Sequence, residues 1–250
     1  MKKVPLQLKS ILRTPQNAYE LFQQQTEIAA LGKQKVVAHK VYFKAYDRLK
    51  AIKLGRSPLS PTLKKILKDR SSQRECNIDN RITPKQIGSL LYYSSGLHTY
   101  KSQMESYRFY PSAGGRFPLE LYLIPNRIDQ LSRGGVYHYN VRGDYVEERV
   151  QVNPMELKAC FQQPFVSKSD AIIVISGVFK RTTMKYGERG YRYVLMESGH
   201  IGQNIYLVGQ SLGLNVCGVC GFFDEKVNRY LHIDGVSESA LYCFAINAKR

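Results

Sequence analysis

The 250-residue chain has no apolar run long enough to cross a membrane. Its longest, Ala171 to Phe179, falls far short of the ~18 residues a helical span needs. No apolar h-region follows Met1-Lys2-Lys3, where Val4-Pro5-Leu6-Gln7 stands instead, so no secretory signal is expected. Cysteine is scarce and odd in number, five residues, of which Cys76, Cys160 and Cys243 stand alone. That pattern excludes a secreted disulfide scaffold and predicts reduced thiols in a cytoplasm. Internal repeats and low-complexity segments are absent, which removes collagen-like and coiled-coil arrays. Acidic residues are short in one region only. Residues 1–74 carry 17 basic against 4 acidic residues, net +13 of the chain's +17. A basic stretch of this kind attracts nucleic acid, acidic peptide or phosphate groups, and it serves equally as a solvated face.

What is present is the composition of a globular protein, 43% hydrophobic and 23% charged, with length enough for a sizeable core. Ala18 to Ala30 and Val36 to Leu54 hold good helix formers. Ser57-Pro58-Leu59-Ser60-Pro61 then breaks the pattern. It divides a basic, mostly helical extension over 1–61 from a core domain over 62–250. Thr62 to Leu67 reads as a short helix. Thr83-Pro84 starts another, with Ile87, Leu90 and Leu91 on its apolar face. Leu119, Leu121 and Leu123 alternate with Glu120 and Tyr122 as in a half-buried strand. Val136 to Tyr139 and Tyr145 to Val150 read as a hairpin around Arg142-Gly143-Asp144. Ala171 to Ser176 suits a strand buried on both faces. The longest helix is expected over Tyr193 to Leu212, then a strand near Asn215 to Val219, a helix from Asp224 and a strand from Leu241 to Ile246. No regular βαβ alternation appears, so the fold class is α+β.

Five segments carry candidate chemistry. Arg70-Ser71-Ser72-Gln73-Arg74 offers two guanidinium forks and two hydroxyls, a set that matches phosphate oxygens and also suits a plain basic turn. Pro111-Ser112-Ala113-Gly114-Gly115 is a small-residue loop with Arg108 and Tyr110 before it and Arg116 after it. It matches neither a P-loop nor a dinucleotide fingerprint, and it fits a flat, partly anionic ligand or an ordinary turn. Gly199, Gly202 and Gly209 each cost their helix roughly 1 kcal/mol against Ala. They call for close approach by a ligand, a partner or the core itself. Cys217-Gly218-Val219-Cys220 has no helix after it, as a redox pair would, and no second ligand pair for zinc. Its cysteines read as small buried hydrophobes beside useful backbone amides. Lys185-Tyr186, in the polar stretch Lys185 to Arg192, is a proton-relay candidate if cations lower one pKa, with Arg181, Arg189 and Arg192 near in sequence. The plain alternative is a polar loop.

From about Arg70 to Asn247 these segments, in this order, resemble the nitroreductase-like flavoenzymes, and among them the SagB/McbC-type azoline dehydrogenases. Arg70 to Arg74 looks like the superfamily's RRSxR segment, with Ser71 where the pattern has Arg. Arg108 to Gly114 with Leu119 to Leu123 resembles the PSAG…ELY signature, and Gly134 to Tyr139 its GlYhY hairpin. Glu197, Gly199, Gln203, Asn204 and Leu207 resemble the central helix. The resemblance implies a nitroreductase-like fold with a central mixed sheet flanked by helices. It implies FMN as cofactor, held by Arg70, Ser71, Ser72, Arg74, Arg108, Pro111, Ser112, Ala113, Gly114, Val219, Cys220, Gly221 and Arg250. Lys185 and Tyr186 stand where the subfamily carries its catalytic pair, and no metal is implied. The implied reaction is oxidation of thiazoline or oxazoline rings in a ribosomally made precursor peptide. The implied partners are that azoline-containing peptide, a cyclodehydratase and a second copy in a homodimer. Two other readings are a general NAD(P)H-dependent nitro or quinone reductase, which Lys185-Tyr186 opposes, and a basic nucleic-acid or scaffold-binding protein. The last lacks any helix-turn-helix, zinc-finger or RNP motif.

Overall fold

Period-two segments, taken together, build one sheet. The computed structural model describes residues 16–27, 55–77, 79–100 and 106–249. The helix expected over Val36 to Leu54, and Arg250, lie outside them. Six strands are β3 (Leu119–Pro125), β4 (Gly135–Asn140), β5 (Tyr145–Gln151), β6 (Ala171–Val178), β7 (Leu214–Val219) and β8 (Glu238–Ala248). They lie in the order β5-β4-β3-β6-β8-β7. A short hairpin of β1 (Leu97–Tyr100) and β2 (Ser106–Arg108), which the sequence did not suggest, stands apart.

The fold class is α+β as expected, but the sheet is antiparallel throughout rather than mixed. The reason is topological. The helical crossover from β6 to β7 skips one place, and β8 enters between them. What could have been a parallel pair becomes two antiparallel ones, Ala171 opposite Ile246 and Val216 opposite the same residue.

The helices are α1 (Ala18–Thr26), α2 (Pro61–Asp69), α3 (Pro84–Ser95), α4 (Lys180–Tyr186), α5 (Arg189–Ser211) and α6 (Asp224–Leu231). Thr83 and Gln86 form a reciprocal capping box at the start of α3, with Pro84 in the first turn. Its Ile87, Leu90 and Leu91 are buried, as read from their spacing. With Val194, Ile201 and Ile205 of α5 they cover one face of the sheet, over Leu119, Leu121, Ile173, Ile175 and Phe244. Leu157, Phe161, Val166 and α6 cover the other, over Tyr122, Ile124, Ile172, Val174 and Cys243. Burying each such Leu, Ile or Val stabilises the fold by about 1.5–3 kcal/mol relative to exposure.

Three sequence readings change. β3 is not half-exposed: Tyr122 is buried, and Glu120 is only 13% exposed because ion pairs compensate its charge. Lys185 and Tyr186 sit in the last turn of α4 rather than in a loop. Of Gly199, Gly202 and Gly209, only two are closely approached. A methyl group on Gly202 would meet Phe244 and Tyr242, and one on Gly209 would meet Val216, so both glycines serve core packing. Gly199 faces open space.

α1 packs on this core. Tyr19 contacts the Phe179 and Tyr191 rings at 5.8 and 5.7 Å. Its buried Gln23 accepts from the Tyr191 hydroxyl and donates to Ser239 Oγ. No helix among the described residues is long and apolar enough to cross a membrane.

Candidate active site

The candidate residues fall into two clusters joined by α5. The first begins where α2 ends. Ser60 caps α2 through the Leu63 amide, and the chain leaves the helix at Arg70 in extended conformation. It then runs beside the edge of β7. Gln73 N–H donates to the Val216 carbonyl at 2.9 Å, and Asn215 Nδ2 to the Glu75 carbonyl at 3.2 Å. Tyr206 of α5 organises the strip. Its hydroxyl pairs with Ser72 Oγ at 2.9 Å and accepts the Gly218 N–H at 2.7 Å. The Arg70 guanidinium lies 5.2 Å from its ring centroid. Arg74 stacks at 5.7 Å on Phe165, and Ser71 Oγ accepts from Gln73 Nε2. Ser71, Ser72 and Arg74 remain exposed, with Arg70 half-buried.

At the end of β7, Val219 is buried and Gly221 half-buried, while Cys220 is exposed, which corrects its reading as a buried residue. The exposure follows from its position beyond the last ladder pair, Val219 with Cys243. The Cys220 and Gly221 amides have no hydrogen-bond partner among the described residues. Gly218 is required by its neighbour, since a Cβ there would lie 2.5 Å from the Tyr242 hydroxyl. Burial raises that phenol to about 12. Cations, hydroxyls and free amides converge here, a donor set for a phosphate-bearing anion.

The second cluster is the small-residue loop with the end of α4. Ser112 Oγ accepts the Phe117 N–H at 2.8 Å, and the buried Glu197 of α5 accepts the Ala113 N–H at 2.9 Å. Burial raises the Glu197 carboxyl above its ordinary range, against the Ala113 amide and the Ser112 hydroxyl. Arg108 stacks 5.0 Å over the Phe117 ring, which meets the buried Tyr110 edge-on. Pro111 is exposed at the turn. Gly114 takes φ +61° inside the short 3-10 turn Ala113–Gly115. A methyl built on it would lie 2.5 Å from the Tyr186 hydroxyl and 2.8 Å from Lys185 Nζ. The loop thus presses glycine backbone directly on the Lys-Tyr pair.

Of the three arginines expected near that pair, one is in line. Arg189 donates to the Tyr193 hydroxyl at 3.0 Å, and the Tyr193 ring meets Tyr186 edge-on at 5.1 Å. Arg181 instead pairs with Glu120 and the Phe117 carbonyl. Sequence reading missed Tyr206 as part of the site, and it gave Arg181 to the Lys-Tyr pair rather than to Glu120. No spacing signal marks these contacts, because the partners lie far away in the chain. Glu197 and Tyr206 are nine residues apart on α5, about 13.5 Å of helix rise. The two clusters therefore occupy separate reaches of one helix. A cleft of about 420 Å³ between α1, α4 and Val236–Ser237 contains none of the expected site residues. Among the described residues no group of three or more His, Cys, Asp or Glu could hold a metal ion.

Comparison with known proteins adds to this geometry. The sequence model of the nitroreductase family matches residues 67–246. The chain is 30% identical over 169 residues to MJ1384, a nitroreductase-family protein of Methanocaldococcus jannaschii, covering 67% of this chain and 82% of that one. It is 30% identical over 164 residues to the trifolitoxin-processing protein TfxB of Rhizobium leguminosarum bv. trifolii, covering 62% of this chain and 41% of TfxB. It is 29% identical over 133 residues to the microcin B17-processing protein McbC of Escherichia coli, covering 51% of this chain and 49% of McbC. The match therefore spans less than half the length of either processing protein. Among solved structures, the E. coli microcin synthetase McbBCD complex with truncated pro-MccB17 bound superposes with a TM-score of 0.65 at 21% identity, over 89% of this chain and 80% of that one. A nitroreductase-family protein of Desulfovibrio desulfuricans in complex with FMN gives 0.53 at 15% identity, over 77% and 88%.

Proposed function

Because this chain belongs to the nitroreductase family and is thereby an oxidoreductase, we propose that it oxidises azoline rings in a ribosomally made precursor peptide with FMN as its cofactor. The observation that carries the reading is the contact of the Gly114 turn with Lys185 and Tyr186. A reductase that only passes electrons from a nicotinamide needs no general base beside its small-residue loop. Ring aromatisation does, because a C–H proton must leave together with a hydride. The similarity to two peptide-processing proteins points the same way.

The residues fit FMN. Arg70, Ser71, Ser72 and Arg74 would take its phosphate and ribityl oxygens, the Pro111 to Gly114 loop would lie on the ring system with Arg108 beside it, and the Cys220 and Gly221 amides after Val219 would meet its polar edge. When bound, FMN supplies the two-electron acceptor that no side chain replaces, and dioxygen restores it. The protein's own task is the proton. Tyr186 or Lys185 removes it from the ring α-carbon, and the other orients it. The Tyr193 ring, held by Arg189, meets Tyr186 edge-on behind them. Thiazoline or oxazoline thereby loses two hydrogens and becomes thiazole or oxazole.

We also propose a symmetric homodimer. Leu195 and Met196 on α5 are 37% and 58% exposed, next to the open Gly199, and Leu59, Leu63 and Leu67 at α2 are uncovered. A two-fold partner would cover these and bring the first cluster of one copy to the second cluster of the other. A cyclodehydratase is the expected source of the azoline substrate.

The test is a spectrum followed by mass spectrometry. The purified protein is expected to be yellow and to remove two hydrogens per ring from an azoline-bearing peptide under air. Colour with NADPH consumption on a quinone and no change in the peptide would favour a general reductase instead. A colourless protein that shifts bulk nucleic acid in a salt-dependent manner would favour the nucleic-acid reading of the basic extension.

A further inference from the structure

Beside the small-residue loop, from the first turn of α4, runs a charged chain that neither cluster accounts for. It crosses four elements. Arg181, on the first turn of α4, donates from Nη1 to Glu120 Oε1 of β3 and also to the Phe117 carbonyl at 3.1 Å. Glu120 Oε2 pairs with His138 Nε2 of β4 at 2.9 Å, and His138 Nδ1 pairs with Glu147 of β5 at 3.3 Å. Glu120 is 13% exposed, so its charge would be costly without these partners.

Phe117 shows where the chain acts. It is a bulky residue at φ +45°, a conformation that persists only when its surroundings hold it. Four contacts do so. Its N–H is fixed by Ser112 Oγ, its ring by Arg108 and Tyr110, and its carbonyl by Arg181. The same turn carries Gly114 against Lys185 and Tyr186. One guanidinium therefore fixes both sides of that contact, the helix from which it projects and the loop whose carbonyl it grips.

We infer that Glu120 is a positioning residue: through Arg181 it sets the Lys185-Tyr186 end of α4 against the Gly114 turn, and His138 holds the carboxylate so that Oε1 faces Arg181. The inference rests on Lys185 and Tyr186 acting in proton transfer, as proposed above. Burial would push the Glu120 carboxyl up, but the His138 hydrogen bond and the Arg181 charge bring it below its ordinary range, so it remains a carboxylate at neutral pH.

Glu120→Gln keeps the shape and removes the charge. Arg181→Met removes the guanidinium from a side chain that is 40% exposed and so tests the same link if the first variant folds poorly. Both are expected to bind FMN with wild-type affinity and to lower kcat on an azoline peptide about 10- to 100-fold with KM unchanged, the effect of a misplaced catalytic group. Hydrogen exchange of the flavin-free proteins should quicken at the amides of residues 112–117 and stay unchanged in β6. Glu225→Gln, which breaks an exposed pair on α6, should alter neither readout. Unchanged kcat together with unchanged exchange at 112–117 in both variants would overturn the inference. If the wild-type protein oxidises no ring, the reading of Lys185 and Tyr186 fails by itself, and the exchange measurement alone decides whether Glu120 positions the loop.

Discussion

Gly114 lies 71 residues before Lys185 in the chain and is in contact with Lys185 and Tyr186 in space. The proton-transfer role predicts a specific dissociation of properties. Lys185→Ala and Tyr186→Phe should retain FMN and lose ring oxidation by ~10²–10⁴-fold, read by mass spectrometry of the peptide. Wild-type rates in either variant would remove that residue from the chemistry, and wild-type rates in both would leave a general flavin reductase. The residues themselves were legible in the sequence, but their surroundings were not. Spacing placed three arginines near the pair, yet Arg181 turns toward Glu120, while Arg189 reaches it through Tyr193. Side-chain direction is set by packing partners distant in sequence, which one chain read by itself does not display.

At the scale of elements, the extended strip after α2 is expected to hold the phosphate. Arg70→Ala and Arg74→Ala should each weaken FMN binding by ~10- to 100-fold, the worth of a charge-assisted hydrogen bond of about 1.5–3 kcal/mol. Flavin fluorescence titration measures it, and unaltered affinity in both variants would refute the assignment. The strip was legible from its composition. Its anchor, Tyr206, was not, because a tyrosine on a long helix carries no motif. The Glu120-His138 pair joining β3 to β4 gives a pH dependence of known sign. Hydrogen bonding to Glu120 raises His138 above its ordinary 6.5, against the lowering by burial, so its stabilisation is full below about pH 6.5 and is lost as pH rises through the raised value. Glu120 lies below its ordinary 4.5, so its stabilisation is full above that and is lost as pH falls through the lowered value. Thermal melts should show the cluster at full strength between these limits. His138→Gln should flatten the alkaline side and also weaken the acid side, because His138 helps to hold the Glu120 carboxyl down.

For the whole molecule, the strand periods and helix caps were sufficient to find all six sheet strands and the class of fold. They did not reveal strand order, because the insertion of β8 between β6 and β7 depends on long-range pairing. The same order explains why Asp170 matters. Fully buried at the start of β6, it accepts the Ala248 N–H of β8 at 2.9 Å and is ion-paired with Arg127. Asp170→Asn should cost about 1.5–3 kcal/mol, the worth of the charge-assisted hydrogen bonds it weakens, and urea denaturation reads this directly. On the proposed dimer, light scattering should give twice the chain mass. A monomer that still holds flavin tightly would defeat it.

The central place of β8 has a consequence for how the protein is made. Both of its neighbours precede it in the chain. While the ribosome is still making residues before Glu238, β7 with the Arg70–Arg74 strip beside it has no sheet to join, and β6 has one edge bare. The nascent chain must therefore carry two exposed strand edges until this strand emerges. Chains stalled before Glu238 should be cut readily by protease, with resistance rising in a single step once the strand is free of the exit tunnel.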